Sequence, residues 1–331
     1  MRVAVLGAGA WGTAIACVLS ARLEVSLWAR DAQQARTLAQ TRRNERYLRG
    51  IEIPAGVSIT GDLQEATSAI SLALVATPVA GLREILRKLK PPLVWLCKGF
   101  EQGSGALPHQ IAEELLGAKA RCGALSGPSF AEEVARGVPT AVVIASRDAA
   151  VARTVQDRLA GDAFRLYTNT DAVGVQIAAA LKNVVAIAAG IADGLGFGHN
   201  TVAALITRGL AEIRRLGVAR GAAPATFSGL ASLGDLVLTC TGGLSRNRHV
   251  GQALGRGERL ADIVARTPHV AEGVRTARSA RSLAQRAGVE MPIVEEVYRI
   301  LYEDGAPRDA VARLMSRPLG AEDGPPEESA P

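Results

Sequence analysis

Lysine is nearly absent from this chain of 331 residues, which has five (at 88, 90, 98, 119 and 182) against 33 arginines. Aromatic residues make up only 4% of it. Four cysteines (Cys17, Cys97, Cys122, Cys240) and four histidines (His109, His199, His249, His269) show neither a CxxC pair nor metal-ligand spacing. That argues against a zinc module or a disulfide scaffold, and the cysteines read as buried thiols of a reducing cytoplasm. The N-terminal residues lack a basic segment followed by a long apolar run, so they read as a strand and not as a secretion signal. The formal charge of +6 is dispersed among acidic residues, with few aromatics between. Attraction to a small anionic molecule fits that pattern better than a nucleic-acid surface does.

What is present is apolar sequence, 48% of the residues, enough for two domains. The run from Ile177 to Ala192 is apolar all round, the mark of a helix buried on every side. Lys182 and Asn183 stand in its middle. An ammonium there needs a partner or must give up its proton easily. Arginine, the usual cation of this chain, cannot titrate, so a lysine kept in that helix points to proton chemistry. The alternative is a structural lysine bonded to a carbonyl or an aspartate. A membrane span is set aside because the run is short, Ala-rich and charged at its centre.

The chain opens with a strand, residues 2–6, that runs into Gly7-Ala8-Gly9-Ala10-Trp11-Gly12 and an apolar helix from Ala14 to Leu19. In this strand–turn–helix setting GxGxxG is a dinucleotide fingerprint. Gly7 allows the tight turn, Gly9 lets the backbone approach a pyrophosphate, Gly12 permits close packing, and the helix N-terminus offers N–H donors. The second strand, residues 24–28, ends in Ala29-Arg30, with Asp31 only afterwards. An NAD site usually places an acid at that strand end. Arg30 can take a 2′-phosphate, which tilts the choice to NADP with dual use left open.

Apolar strands at residues 69–76, 93–97, 121–125 and 140–145 alternate with helices, so a parallel sheet covered on both faces is expected. Ligands bind beyond the carboxyl ends of such strands. Lys98 falls there, as does the turn Ser126-Gly127-Pro128-Ser129-Phe130, where Ser129 would open a short helix facing an anion. Near Tyr167–Asp171 the strand pattern gives way to helices, expected at 173–192, 201–216, 224–231, 254–265, 273–287, 293–303 and 308–314. The predicted fold is α/β: a doubly wound, Rossmann-like parallel-sheet domain at 1–170 and an all-α domain at 171–317. A disordered acidic tail at 318–331 follows. Two polar clusters interrupt the helices, a glycine-rich loop at residues 194–200 and the stretch 233–248. In the second, Asp235 lies beside an apolar run and is a natural partner for Lys182, with a helix cap as its plainer role. Further along it, Ser245-Arg246-Asn247 on a glycine-rich loop would suit a phosphate, with a solvated turn as the alternative.

Together these stretches resemble the NAD(P)-dependent glycerol-3-phosphate dehydrogenases of bacteria, over nearly the whole chain. The likeness rests on Gly7-Ala-Gly-Ala-Trp-Gly-Thr13, Cys97-Lys-Gly99, Ser126-Gly-Pro-Ser-Phe130, Leu181-Lys-Asn-Val184, Ser232-Leu-Gly-Asp235, Ser245-Arg-Asn-Arg248 and Val270-Ala-Glu-Gly273. The resemblance implies a catalytic Lys182, with Asp235, Asn183 and Lys98 beside it. It implies substrate contacts at Lys98, Gly127, Ser129, Ser245, Arg246 and Asn247. Cofactor contacts would be Gly7, Gly9, Ala10, Trp11, Gly12, Arg30, Lys98, Ala131, Arg246, Val270 and Glu272. It further implies a phosphorylated small-molecule substrate, no metal, a cytoplasmic homodimer and supply of glycerol 3-phosphate to phospholipid synthesis. The turn before the second strand is shorter than usual for the family and lacks glycine. Two other readings stay open: a hydroxyacid or 6-phosphogluconate-type dehydrogenase, and a non-catalytic NADP sensor that needs the glycine loop but not Lys182.

Overall fold

The computed structural model describes residues 2–90, 92–266 and 271–318. Val270, and all but the first residue of the expected tail, lie outside them.

The N-terminal half alternates strands and helices. In chain order they are β1 (Arg2–Leu6), α1 (Ala10–Leu19), β2 (Glu24–Trp28), α2 (Ala32–Thr41), β3 (Arg43–Asn44), β4 (Leu48–Glu52), β5 (Val57–Thr60), α3 (Leu63–Ala66) and β6 (Leu72–Val75). Then come α4 (Val79–Lys88), β7 (Leu93–Trp95), α5 (Pro108–Leu116), β8 (Cys122–Ser126), α6 (Ala131–Ala135), β9 (Thr140–Ala145), α7 (Ala149–Leu159) and β10 (Phe164–Asn169). Eight strands form one sheet in the order β10-β9-β8-β7-β6-β1-β2-β5, while β3 and β4 make a separate antiparallel hairpin. The inner strands are apolar on both faces and buried, because helices cover the sheet on either side. The chain winds outward from β1 through β2 to β5, then returns to β6 on the other side of β1. That reversal opens a crevice at the carboxyl ends of β1 and β6, the place where such sheets bind ligands.

Two expectations need correction. β9 runs antiparallel to β8. A parallel neighbour would need a full crossover, and residues 127–139 carry only the five-residue α6, so the chain turns straight back. The expected strands also omit the last one, β10, which pairs parallel with β9 and ends at Asn169, just before the helices begin.

The second half is helical: α8 (Ala172–Gly194), α9 (His199–Ala219), α10 (Asp235–Thr241), α11 (Arg246–Gly255), α12 (Leu260–Arg266), α13 (Glu272–Ala287), α14 (Pro292–Tyr302) and α15 (Pro307–Met315). A 3₁₀ turn at Pro224–Ser228 and a π turn at Leu230–Gly234 stand in place of the single helix expected at 224–231. The helix expected at 254–265 is split: α11 begins at Arg246 and ends at Gly255, and α12 starts after a turn at Gly257 with φ +89°. Among the described residues α8 is the one helix long and apolar enough to cross a membrane, and it is enclosed by protein.

Helix α8 is the axle of this half, and its tightest contact is with α11. Gly190 and Gly194 on α8 face Gly251 and Gly255 on α11, so the helices meet backbone to backbone. A methyl group at any of the four would overlap a carbonyl oxygen of the facing helix: Arg248 or Gln252 on α11, Ile187 or Ile191 on α8. The two GxxxG spacings put each pair on one helix face. Gly251→Ala is expected to push the helices apart and cost about 3 kcal/mol or more of stability. Urea denaturation checks this, and an unchanged midpoint would refute backbone contact at that position.

Candidate active site

Three segments converge beside the middle of α8. Lys182 comes from α8, Lys98 from the loop just after β7, and Asp235 with Thr239 from α10. The π turn delivers Asp235 as the first residue of α10, where it is 1% exposed. Lys182 Nζ donates to Asp235 Oδ1 and, at 2.9 Å, to Thr239 Oγ1. Lys98 Nζ donates to Asp235 Oδ2 at 2.6 Å. The Thr239 hydroxyl gives its own proton to the Asp235 carbonyl one turn back, which leaves a lone pair for Lys182. No sequence spacing indicated that both lysines share one carboxylate. Thr239 was missed as a site residue, and its only signal was its i+4 spacing from Asp235.

The proton inventory of this cluster is informative. An ammonium has three donors. Two of those on Lys182 are taken, so one remains for a substrate oxygen. Two cations against one carboxylate leave one uncompensated positive charge, suited to an anion. Burial drives the Lys182 pKa down, Asp235 pulls it back up, Lys98 pushes it down again, and the net position is below the ordinary lysine value. Burial pushes Asp235 upward, but the two ammonium groups outweigh it and hold the carboxyl ionised. Cys97, next to Lys98, is raised to about 12 by burial and then by Glu272, so its thiol stays protonated.

The crevice at β1 and β6 has the features of a dinucleotide site. Gly7 has φ +123°, and a Cβ there would come within 2.9 Å of the Ala76 carbonyl and Thr77 nitrogen at the end of β6. A Cβ on Gly12 would overlap the Gly7 oxygen, whereas Gly9 faces open space. Asp31, Asp62, Asp148 and Asp171 cap α2, α3, α7 and α8, but no side chain caps α1. The first N–H groups of α1, at Ala10, Trp11 and Gly12, are therefore left for an anion, and a pyrophosphate fits them. Ala131 packs in the same apolar cluster as Trp11. Arg30 follows the end of β2, exposed, and its side chain has no hydrogen-bond partner among the described residues. Asp31 caps α2 through Oδ1, which accepts from Gln33 N at 2.8 Å and Gln34 N at 3.2 Å.

On the other side of the cluster, Gly127 has φ +150° and lies against Val142, where a Cβ would come within 2.9 Å of the Val142 Cα. Pro128 meets the π turn: a Cβ on Gly234 would sit 3.6 Å from the proline ring. Ser129 does not open the helix as expected. Phe130 is the N-cap of α6, and the Ser129 hydroxyl donates to the Gly127 carbonyl at 3.1 Å.

The Ser245–Asn247 segment is a helix start and not a loop. Ser245 caps α11, accepting from Arg248 N at 3.3 Å. Arg246 is exposed, and its side chain has no hydrogen-bond partner among the described residues. The Asn247 side chain is already engaged, donating to Asn183 Oδ1 at 2.9 Å and accepting from Gly273 N at 2.9 Å. Asn183 in turn donates to Glu272 Oε2 at 3.4 Å. The residue after Lys182 thus ties α8 to the first turns of both α11 and α13.

Known proteins resemble this chain over nearly its whole length. Family models described as the N-terminus and the C-terminus of NAD-dependent glycerol-3-phosphate dehydrogenase match residues 2–152 and 171–312. A glycerol-3-phosphate dehydrogenase [NAD(P)+] of Aromatoleum aromaticum is 55% identical, with 96% of this chain and 98% of that protein covered. One from Dechloromonas aromatica is 51% identical over the same shares. The crystal structure of glycerol-3-phosphate dehydrogenase from Coxiella burnetii superposes with a TM-score of 0.90 at 38% identity, covering 96% of this chain and 99% of that one.

The opposed influences on Lys182 predict signs. Reduction of a carbonyl needs the ammonium form, so its rate should fall on the alkaline side at a pH below that of an ordinary lysine. Asp235→Asn removes the group that raises the Lys182 pKa and should move that limb to lower pH. Lys98→Met removes one that lowers it and should move the limb up. Single-turnover pH profiles check both shifts, and shifts in the same direction would refute the shared-carboxylate account.

Proposed function

The chain belongs to the NAD-dependent glycerol-3-phosphate dehydrogenase family, and we propose that Lys182 is its proton-transfer residue. The enzyme interconverts dihydroxyacetone phosphate and sn-glycerol 3-phosphate with NAD or NADP. The observation that carries the proposal is the buried Lys182 ammonium, with two donors fixed by Asp235 and Thr239 and one left over. A bound nicotinamide supplies or accepts the hydride at C2 of the substrate. In reduction, the free Lys182 donor stabilises the oxyanion growing on the C2 oxygen and passes it a proton. In oxidation, neutral Lys182 takes the hydroxyl proton, and its lowered pKa makes that form accessible. Asp235 holds the amine in place from one oxygen and Lys98 from the other.

Arg246 and the first N–H groups of α11 would hold the substrate phosphate, with Ser245 fixing the turn. This remote charge pairing orients the reacting carbon. Asn247 and Asn183 act through the α8–α11 bridge. Gly7, Gly9, Ala10, Trp11 and Gly12 would hold the pyrophosphate. Lys98, Ala131 and Glu272 would line the nicotinamide end, beside Gly127 and Ser129. Arg30 would bind a 2′-phosphate and tilt the preference to NADP, a reading supported by its place just beyond the end of β2. The proposed organisation is a nucleotide domain at 1–170 and a helical domain at 171–317. Four unpaired cysteines support a cytoplasmic setting, with the product entering phospholipid synthesis. A homodimer through the helical half completes the reading, for which exposed Leu233, Val237 and Leu244 offer apolar surface.

Oxidation of NADPH by dihydroxyacetone phosphate, followed by absorbance, tests the assignment. Lys182→Ala should lose about 100-fold or more in kcat while still binding NADPH. Wild type inert with both cofactors would overturn the substrate reading, and turnover surviving the substitution would remove Lys182 from its role. For the cofactor, Arg30→Ala should raise KM for NADPH by roughly tenfold and leave KM for NADH nearly unchanged. Equal effects on the two would rule out a 2′-phosphate contact.

A further inference from the structure

We propose that Asn44, on the β3–β4 hairpin, is a positioning residue for the cofactor: it fixes the glycine loop in its phosphate-binding form. Asn44 is 2% exposed and far in sequence from that loop. Its amide nitrogen donates to the Ala8 carbonyl at 3.0 Å and to Thr13 Oγ1 at 2.7 Å. Both of its N–H donors are thereby spent on the loop and on the first turn of α1. Gln34 of α2 gives the same Ala8 carbonyl a second donor at 2.9 Å. The hairpin itself is anchored by buried Leu48, which packs in the apolar cluster that contains Ile15 and Leu38.

The physical consequence concerns the direction of one peptide. A loop that binds pyrophosphate must turn N–H groups toward the anion and keep carbonyl oxygens away from it. Ala8 lies between Gly7, at φ +123°, and Gly9, whose Cβ position is empty. The Ala8 oxygen belongs to the Ala8–Gly9 peptide, and a glycine on its C-terminal side resists rotation of that peptide poorly. A rotated peptide would aim the Ala8 oxygen at the phosphates. Two amide donors from two different elements hold that oxygen back instead. Asn44 reaches neither Lys182 nor Asp235, so its loss should weaken the cofactor and spare the chemistry. The inference rests on reading the glycine loop as a dinucleotide site, but not on which substrate is reduced.

The experiment is an equilibrium fluorescence titration of the full-length protein with NADPH, paired with steady-state kinetics and thermal melting. Asn44→Ala should raise both Kd and KM for NADPH by roughly three- to tenfold, the worth of one or two neutral hydrogen bonds. The kcat at saturating NADPH and the KM for dihydroxyacetone phosphate should stay within about twofold of wild type. Gln34→Ala, which leaves the hairpin untouched, should raise Kd in the same direction by a smaller factor, so the proposal stays testable if Asn44→Ala folds poorly. Asn44→Asp keeps the shape but cannot donate to the carbonyl, and it should bind NADPH no better than Asn44→Ala. A folded Asn44→Ala with wild-type Kd would overturn the proposal. So would an equal loss in kcat and both KM values, the mark of a merely structural role. Wild type that binds NADPH but does not reduce dihydroxyacetone phosphate would sink the substrate reading alone and leave this titration valid.

Discussion

One buried carboxylate, shared by two ammonium groups, is the constraint around which the helical half is arranged. Asp235 is 1% exposed, and an unpaired charge so placed would cost several kcal/mol. Each of its oxygens instead receives one lysine. The three partners come from the end of β7, the middle of α8 and the start of α10, so the charge cluster can form only when the sheet and the helices are docked. Removing Asp235 would leave two ammonium groups facing each other in a place that water scarcely reaches, whereas removing either lysine leaves a balanced pair and takes away the surplus positive charge. With all three in place, one donor of Lys182 and two of Lys98 have no partner among the described residues.

A second constraint sets how far the start of α11 lies from this cluster. Had Gly190, Gly194, Gly251 and Gly255 been larger, α11 would stand further from α8. The start of α11, with Ser245, Arg246 and Asn247, would then swing away from Lys182. The amide bridge from Asn247 to Asn183 fixes the same approach from the other end. Close packing and hydrogen bonding thus specify one distance twice. On the proposed reading, with a phosphate held at one end and a proton moved at the other, the chemistry would depend on that distance.

The local features of this molecule were legible in the sequence. The glycine loop, the apolar strands, the all-round apolar α8 and the lysine inside it each follow from composition and period alone. What escaped the reading was long-range or irregular. The reversal of β9 depends on a connection too short for a crossover. The π turn that delivers Asp235 has no periodic signature. The start of α11 looked like a loop because glycines and polar residues crowd Thr241–Arg248, yet those glycines precede the helix and Ser245 caps it. Asn44 and Gln34 reach Ala8 across 36 and 26 residues, and nothing in their own neighbourhoods marks them.

The scarcity of lysine acquires a physical sense from this geometry. A guanidinium at position 182 would satisfy Asp235 better than an ammonium, with a planar fork against a carboxylate. It would also stay charged through every step, and could neither give a proton to the reduced oxygen nor take one from the alcohol. The same reasoning separates the cations within the site. In the proposed roles Arg246 and Arg30, at the edges, would have only to hold fixed negative charge, and there arginine is the better choice. Lys182 would sit where charge appears and disappears, in surroundings that lower its pKa, beside a carboxylate that keeps the drop from going too far. The placement of arginine at the rim and lysine at the centre thus follows from the difference between binding a charge and transferring a proton.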